Sequence, residues 1–378
     1  MRAAIATSDY HVGGETFINR HIELLFGGDT VVICGRFNGD DPYGKPLFIR
    51  RDKLSGADLI TAPFWTLWNR AVHSTSRLPF GKGKQDLAAF LRDQKVEVIL
   101  AEFGTQALAL APLANEVGVP IFTYYRGTDA SKALQSRRIQ AAYRKMMPRL
   151  AGVFSVSQFL LDNLARHGVR HDNAHVIPSG VNVRQFVPGQ KVAFSCLAVG
   201  RFVEKKAPLT TLRCFAEATA DLPDARLDFI GDGPLLAAAQ ALTGELGVGE
   251  KVTFHGAQNH EFVRAALERT QFFLQHSVTA KDGNTEGLPT AIQEAMACGC
   301  ITVSTRHAGI PEAIDEGVTG FLVEEHDAPG FTDAIARAMA VHDASAMSDR
   351  ARKVAEARFD NDVLLARLEA QIRLTLGR

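Results

Sequence analysis

Residues 271–305, QFFLQHSVTAKDGNTEGLPTAIQEAMACGCITVST, run from an apolar segment through a polar loop into a helix-like stretch and out into a second apolar segment. The segments Gln271–Gln275 and Ile301–Thr305 are short, bounded and rich in strand formers, so each predicts a buried strand. Pro289 suits the first turn of the helix between them, where its missing N–H and fixed φ do no harm. Strand, crossover helix and strand make the repeating unit of a parallel sheet.

The unit recurs in both directions from this stretch. AAIAT, TVVIC, VEVIL, PIFTY and GVFSVS alternate with amphipathic segments in the first half of the chain, and SCLAVG, LDFIG, KVTFHG, QFFLQ and ITVST do so in the second. Such alternation predicts an α/β protein with helices on both faces of parallel sheets. Two such series in 378 residues predict two doubly wound domains with a cleft between them. VIPSGVNVRQFVPGQK, residues 176–191, carries Pro and Gly with weak periodicity and reads as the linker. The predicted domains are therefore 1–187 and 188–358. A terminal segment, 359–378, places Leu364, Leu365, Leu368, Ile372 and Leu376 on roughly one helical face, expected to pack back on the first domain.

Composition narrows the function. Hydrophobic residues at 46% and charged residues at 22% describe a folded globular chain rather than a disordered one. Lys plus Arg equal Asp plus Glu at 42 each, which removes a global electrostatic case for nucleic acid. Cys34, Cys196, Cys214, Cys298 and Cys300 are odd in number and scattered, which fits a reduced, cytoplasmic protein. The opening MRAAIATSDYHVGG has too short an apolar run for a secretory signal, and no stretch approaches the ~20 apolar residues that span a bilayer. Membrane contact is thereby confined to the periphery. SRRIQAAYRKMMPRL, from Ser136, gathers Arg137, Arg138, Arg144, Lys145 and Arg149 beside apolar residues. A solvated surface helix and a helix resting on an anionic bilayer are both open readings of it.

Glu286 precedes the helix that follows QFFLQ and its loop, and Glu294 falls in that helix's second turn. Ligands of parallel sheets collect at the carboxyl ends of strands, and helix N-termini favour phosphate. Gly287 permits close backbone approach there. A carboxylate at Glu294 can accept two hydrogen bonds from a diol such as a ribose, and one at Glu286 can hold sugar hydroxyls. Two solvated helix-start carboxylates fit the same spacing, so context decides.

That context resembles family four of the retaining glycosyltransferases over nearly the whole chain. The matching stretches are Gly13-Gly14-Glu15-Thr16, IPSGVNVRQFVP, VGRFVEKKA, FIGDGP, VTFHGA and TEGLPTAIQEAMACGCITVSTRHAGIPEAIDEGVTGFLV. The two glutamates alone are weak; inside this order of strands, helices and glycines they are specific. The resemblance implies the GT-B architecture, two facing Rossmann-like domains whose closure assembles the site. It implies transfer, with retention of configuration, from a nucleotide-diphosphate sugar. It implies donor binding by Gly13, Gly14, Arg201, Lys206, Gly287, Leu288, Pro289 and Glu294, with Glu286 at the transferred sugar. Arg201 and Lys206 fall on the two cations that neutralise the donor diphosphate, as a departing nucleoside diphosphate requires. Lys205 reads as a solvated neighbour, and Gly231-Asp232-Gly233-Pro234 as a strand-to-helix turn.

The first domain departs from the family pattern. Where many members carry His-Gly-x-Asp, this chain has Arg126, Gly127 and Asp129; where many carry His-x-His-Phe-Gly, it has Leu100 and Glu102. An arginine cannot be a base at neutral pH, but it can bind a phosphate or carboxylate. Glu102 reads equally as a base or acceptor anchor and as a buried structural carboxylate. The candidate catalytic residues are thus Glu286, Arg126, Glu102 and Asp129. His276 and His307 read as loop-bridging side chains or donor contacts, and Glu312 as a helix-start carboxylate.

Asp360-Asn361-Asp362 has an Asp-x-Asp form that another glycosyltransferase fold uses for a divalent ion, but ahead of the last helix it reads as a cap. No metal and no cofactor are expected. The expected partners are a nucleotide sugar and a saccharide or lipid-linked saccharide acceptor, with no nucleic acid. TAKDGNTEGLP and STRHAGIPE look most like exopolysaccharide and colanic-acid-type transferases. The expected placement is cytoplasmic, at the inner face of the cytoplasmic membrane where contact is made. A GT-B epimerase and a catalytically silent nucleotide-sugar-binding protein share these donor residues and stay open.

Overall fold

The computed structural model describes residues 1–39, 41–50 and 56–378. Its first sheet runs through β1 (Ala3–Asp9), β2 (Thr30–Arg36), β3 (Leu47–Ile49), β4 (Val98–Glu102), β5 (Ile121–Tyr125), β6 (Gly152–Ser155) and β7 (Ala174–Val176). The spatial order is β3-β2-β1-β4-β5-β6-β7, and every pair is parallel. The second sheet comprises β8 (Val192–Val199), β9 (Arg226–Ile230), β10 (Val252–Phe254), β11 (Thr270–Gln275), β12 (Ile301–Thr305) and β13 (Gly320–Val323), in the order β10-β9-β8-β11-β12-β13. Both orders reverse after the first strand of their series, between β1 and β4 and between β8 and β11. Open parallel sheets bind ligands at that reversal, beyond the carboxyl ends of the strands.

Helices α1 (Thr16–Leu24), α2 (Gly56–His73), α3 (Gly81–Asp93), α4 (Gly104–Glu116), α5 (Arg137–Met146) and α6 (Gln158–Arg166) accompany the first sheet. Helices α7 (Pro208–Ala218), α8 (Leu236–Glu245), α9 (His260–Arg269), α10 (Thr290–Ala297), α11 (Ala328–Met339) and α12 (Ala344–Phe359) accompany the second, and α13 (Asn361–Thr375) ends the chain. β1, β4 and β12 are buried along most or all of their length, as strands covered on both faces must be. All five cysteines are buried thiols outside any disulfide, Cys34 in the first sheet and the other four in the second unit.

The chain forms two compact units, Met1–Ile177 with Leu365–Arg378, and Pro178–Leu364. From Pro178 onward the linker of the sequence reading falls in the second unit, for a hydrogen-bonded reason. Val181 N donates to Phe359 O at 2.8 Å, Asn361 N donates to Val181 O at 3.1 Å, and Arg352 Nη2 donates to Val183 O at 2.7 Å. The last helix changes unit within its length, so the division at residue 359 lies at its start rather than where its packing changes. Leu368 and Ile372 are buried in the first unit, where Glu369 Oε1 also accepts from Phe26 N at 2.5 Å. Asp360 Oδ1 accepts from Asp362 N at 3.0 Å, the capping contact expected of the Asp-x-Asp sequence. Three strands, β3, β7 and β13, had no counterpart in the sequence reading: each has three or four residues, too few to show a period, and each lies at a sheet edge.

Candidate active site

In the second unit the loops after β8 and β11 and the start of α10 converge at the sheet reversal. Gly200 follows β8 with φ 148°, and a Cβ there would come within 3.1 Å of the Lys206 side chain, so the glycine makes room for that lysine's stem. A short 3-10 turn, Glu204–Lys206, then turns both lysines inward before Pro208 starts α7. Val278 N donates to Lys205 O at 2.9 Å, tying the two loops together. Behind them the turn Gly231-Asp232-Gly233 packs directly on this backbone. A Cβ on Gly231 would stand 2.0 Å from Gly200 O, while Phe202 N donates to Asp232 O at 2.9 Å.

Glu286 sits among cations rather than in solvent. Its Oε2 lies 3.3 Å from Lys205 Nζ and its Oε1 3.2 Å from Lys206 Nζ, with all three side chains largely buried. Lys205 is therefore not the solvated neighbour its sequence suggested: it also donates to Thr285 O at 3.3 Å and is nine-tenths buried. Burial alone would raise the Glu286 carboxyl, but Lys206 and then Lys205 outweigh it and hold it at about 2. Burial also pulls the Lys206 ammonium below its usual range, against the pull of Glu286. Lys206 donates to Gln275 Oε1 at 3.1 Å, at the end of β11. Arg201 is exposed and, among the described residues, makes no ion pair, while it lines one depression with Lys206 and Gln275.

The backbone of Glu286 is fixed from below. His307 Nε2 accepts from Glu286 N at 3.0 Å, which places the His307 proton on Nδ1, donated to Glu325 Oε1 at 2.6 Å. Burial would raise the Glu325 carboxyl, but the bonds from His307 and from Thr279 hold it at about 2. Gly309 N donates to Gly287 O at 2.9 Å, so the loop after β12 braces the segment Gly287-Leu288-Pro289, all of it buried. Pro289 is the capping residue, one position ahead of the first helical residue, Thr290. Glu294, buried in the second turn of α10, takes a 3.0 Å contact from His260 Nε2 at the start of α9. That bond, opposed by burial, raises the His260 pKa. His276 is buried without a hydrogen-bond partner on either ring nitrogen among the described residues. Burial pushes it down to about 4, so it is neutral. Glu312 lies in a 3-10 turn, Ile310–Glu312, close after His307.

The first unit assembles a different cluster at the ends of β4 and β5. Glu102 is fully buried: Oε2 accepts from Arg126 Nε at 2.8 Å and Oε1 accepts from His21 Nδ1 at 2.6 Å. The Arg126 guanidinium lies 4.0 Å from the ring centres of both Phe17 and Tyr124. Burial would raise the Glu102 carboxyl, but Arg126 and His21 overcome it and hold it at about 2. A sealed carboxylate of such low proton affinity cannot serve as a base; it holds Arg126 in place. Asp129 is occupied with backbone, Oδ2 accepting from Gly104 N at 2.8 Å and Oδ1 from Arg126 N and Gly127 N at 3.1 Å each. It shapes the loop that carries Arg126. Gly13 and Gly14 lie between β1 and α1, and a Cβ on either would meet nothing within 4 Å. Nearby in the same unit, Ser8, Asp9, Arg36, Arg50, Arg77 and Gln106 line a concavity of about 650 Å³.

Comparison with known proteins reads the same two regions. The family model described as Glycosyltransferase Family 4 matches residues 27–185, and that described as Glycosyl transferases group 1 matches residues 187–354. The chain belongs to glycosyltransferase family four. It is 29% identical over 283 residues, 71% of this chain and 68% of the relative, to WcaL of Escherichia coli, a glycosyltransferase named for colanic acid biosynthesis. It is 28% identical to the amylovoran biosynthesis glycosyltransferase AmsK of Erwinia amylovora, over 66% of this chain and 63% of that one. The matched segments thus span about two thirds of those relatives. The family fold is that of HepE from Anabaena in complex with UDP, with a TM-score of 0.77 at 14% identity over 98% of this chain and 99% of the other. The lipopolysaccharide outer core galactosyltransferase WaaB superposes with a TM-score of 0.70 at 16% identity, over 100% and 99% of the two chains. The family-four transferase therefore has the GT-B fold.

Within this glycosyltransferase, the structure pairs Glu286 with Lys206, sets Gly287, Leu288 and Pro289 in the braced segment that follows, and pairs Glu294 on α10 with His260. Sequence reasoning passed over His21, Glu325 and His260, which hold Glu102, His307 and Glu294. None belongs to a motif; each is a lone polar residue on another element, visible only once the fold brings it near. Glu15, in the quoted glycine loop, is also half-buried, and its pKa is raised by that burial and then by the charge of Glu102.

Proposed function

We infer that the protein is a retaining, metal-independent hexosyltransferase. It moves a sugar from a nucleotide-diphosphate sugar to a saccharide or lipid-linked saccharide in surface or exopolysaccharide synthesis. The observation that carries this reading is the buried Glu286 between Lys205 and Lys206. With Arg201, which lines a depression beside Lys206, the region holds three cations against the one carboxylate of Glu286, a surplus that matches a pyrophosphate bearing one negative charge on each phosphate. Cations held in fixed positions stabilise the leaving nucleoside diphosphate without reorganisation. The lysines supply the charge that a divalent ion supplies elsewhere, which supports metal independence.

Glu286 keeps one role in each state: it positions both lysines, and its carboxylate can accept hydrogen bonds from hydroxyls of the bound sugar. Glu294 takes the ribose diol. In the first-unit cluster neither Arg126, a permanent cation, nor Glu102, held at about 2, can take the acceptor's proton. The donor phosphate is the proposed acceptor of that proton, on the face where the bond breaks, as the resemblance to the retaining family implies. A cytoplasmic placement is part of this reading.

A thermal-shift panel of uridine, guanosine and adenosine diphosphate sugars tests the donor reading, with uridine first because HepE was solved with UDP and UDP-glucose. Stabilisation by one base and unchanged activity in chelator are expected. The anomeric configuration of the product, read by NMR, tests retention. Failure of every nucleotide sugar to stabilise the protein sinks the proposal.

A further inference from the structure

Helix α2 is built inside out. The residues it buries are polar, Asp58 and Asn69, and Asp58 accepts at 3.1 Å from Lys82 N at the start of α3. Its outward face carries Leu59, Ile60, Phe64, Leu67, Trp68 and Val72. Ile60 is 83% exposed, Leu67 67% and Phe64 60%. At 100° per residue Leu59, Ile60, Pro63, Phe64, Leu67, Trp68 and Ala71 form one stripe along a helix about 27 Å long. Six of the thirteen exposed large apolar side chains among the described residues lie on this one element. Phe64 and Trp68 stack on each other, ring centres 6.3 Å apart, rather than on the body of the protein. Folding of this chain gains nothing from that face, and a continuous exposed apolar stripe marks an interaction surface.

The surroundings identify the occupant. The only acidic residue of α2 is the inward Asp58, and α5, RRIQAAYRKM, has none. α5 is fastened to the carboxyl end of α2: Lys145 Nζ donates to Val72 O at 3.0 Å and Arg138 Nε to Ser74 O at 3.2 Å. Arg70, Arg137, Arg138, Arg144 and Lys145 are exposed. An apolar, Trp- and Phe-bearing stripe rimmed by cations complements a bilayer surface of anionic head groups. A second copy is a poorer partner, because a two-fold contact through this face would set its own cations against each other. Among the described residues no helix is long and apolar enough to cross a membrane, so contact lies in the interface plane.

We propose that α2 is a membrane-lying helix, its stripe seated in the head-group region of an anionic bilayer and the basic residues of α5 set against lipid phosphates. The proposal rests on no assignment of donor or acceptor. It names the surface for the peripheral contact that a lipid-linked acceptor would require.

The chain has two tryptophans, Trp65 and Trp68, both on this helix. In full-length Trp65→Phe protein, Trp68 is therefore the sole indole. Adding vesicles of phosphatidylglycerol and phosphatidylcholine should shift its emission to the blue and expose it to quenching by brominated lipid. Sedimentation with those vesicles should weaken at least about tenfold between low and high salt, and vesicles of phosphatidylcholine alone should bind far less. Phe64→Ser with Leu67→Ser should abolish association while leaving Tm unchanged, and Arg70→Glu with Arg137→Glu should remove the preference for anionic lipid. Binding no better than to zwitterionic vesicles overturns the proposal. So does a lipid-free dimer, detected by ultracentrifugation, that the double serine variant dissolves. Because no substrate is present, neither outcome bears on the transferase reading.

Discussion

Each unit of this glycosyltransferase buries one carboxylate between two nitrogen bases at the ends of its strands, yet the two clusters serve different ends. Glu286 lies between two lysines, with Arg201 exposed beside them, and keeps surplus positive charge at a surface. Glu102 lies between Arg126 and His21, sealed from solvent, and burial lowers the His21 pKa against the pull of Glu102. One cation then balances one anion. Surplus charge at a surface receives an anion, whereas balanced charge under aromatic rings fixes a geometry. Position in a Rossmann sheet therefore does not assign a role; the charge count and the exposure do.

The largest effect should come from breaking the balanced cluster. Glu102→Ala leaves Arg126 buried without its counter-charge and should cost about 3–5 kcal/mol in denaturant unfolding. The wild-type carboxylate, held at about 2, contributes stability present above its ordinary range and lost as pH falls towards 2; the variant should lack that acid limb. Equal stability of variant and wild type at neutral pH would show the cluster to be dispensable. Breaking the surplus cluster should spare the fold and cost turnover. Lys206→Met is expected to lower kcat by roughly 10²–10³ with a Tm near that of wild type. A change confined to KM would instead give Lys206 a binding role only.

The glycines sharpen the contrast. Gly231→Ala drives a Cβ into Gly200 O and should destabilise the second unit by about 2–3 kcal/mol. Gly14→Ala meets open space and should alter stability by less than about 0.5 kcal/mol, with any loss appearing in nucleotide-sugar affinity. Small as well is the effect of the His260–Glu294 pair, half-exposed on the histidine side. The raised His260 pKa makes its stabilisation present below the ordinary histidine value and lost as pH rises through the raised one. His260→Gln should remove a pH dependence of Tm worth less than about 1 kcal/mol near neutrality. A variant that tracks wild type across that range would deny the pair any contribution.

Most of the fold was legible because parallel strands advertise themselves: all ten apolar runs read from the sequence are strands. What escaped was too short to have a period, as in β3, or kept the helical period but turned its apolar face outward, as in α2, where the sequence looks like that of a core helix. In the candidate site the glycine and glutamate motifs located the loops that carry Lys206 and Glu286 at the ends of β8 and β11. Lys205 was misread because adjacent lysines look alike in a sequence, and only the inward 3-10 turn shows that both point the same way. Glu102 could not be resolved as base or brace until His21 and Arg126 were seen on its two oxygens.

The five buried thiols give the two units separate clocks. Burial raises the pKa of Cys196, Cys214, Cys298 and Cys300, and Cys34 is equally enclosed in β2, so each thiol is unreactive until its surroundings open. Cys34 reports on one unit and the other four on the second. The time course of alkylation in native buffer, followed by mass spectrometry, therefore measures the opening free energy of each half of the enzyme without any introduced label.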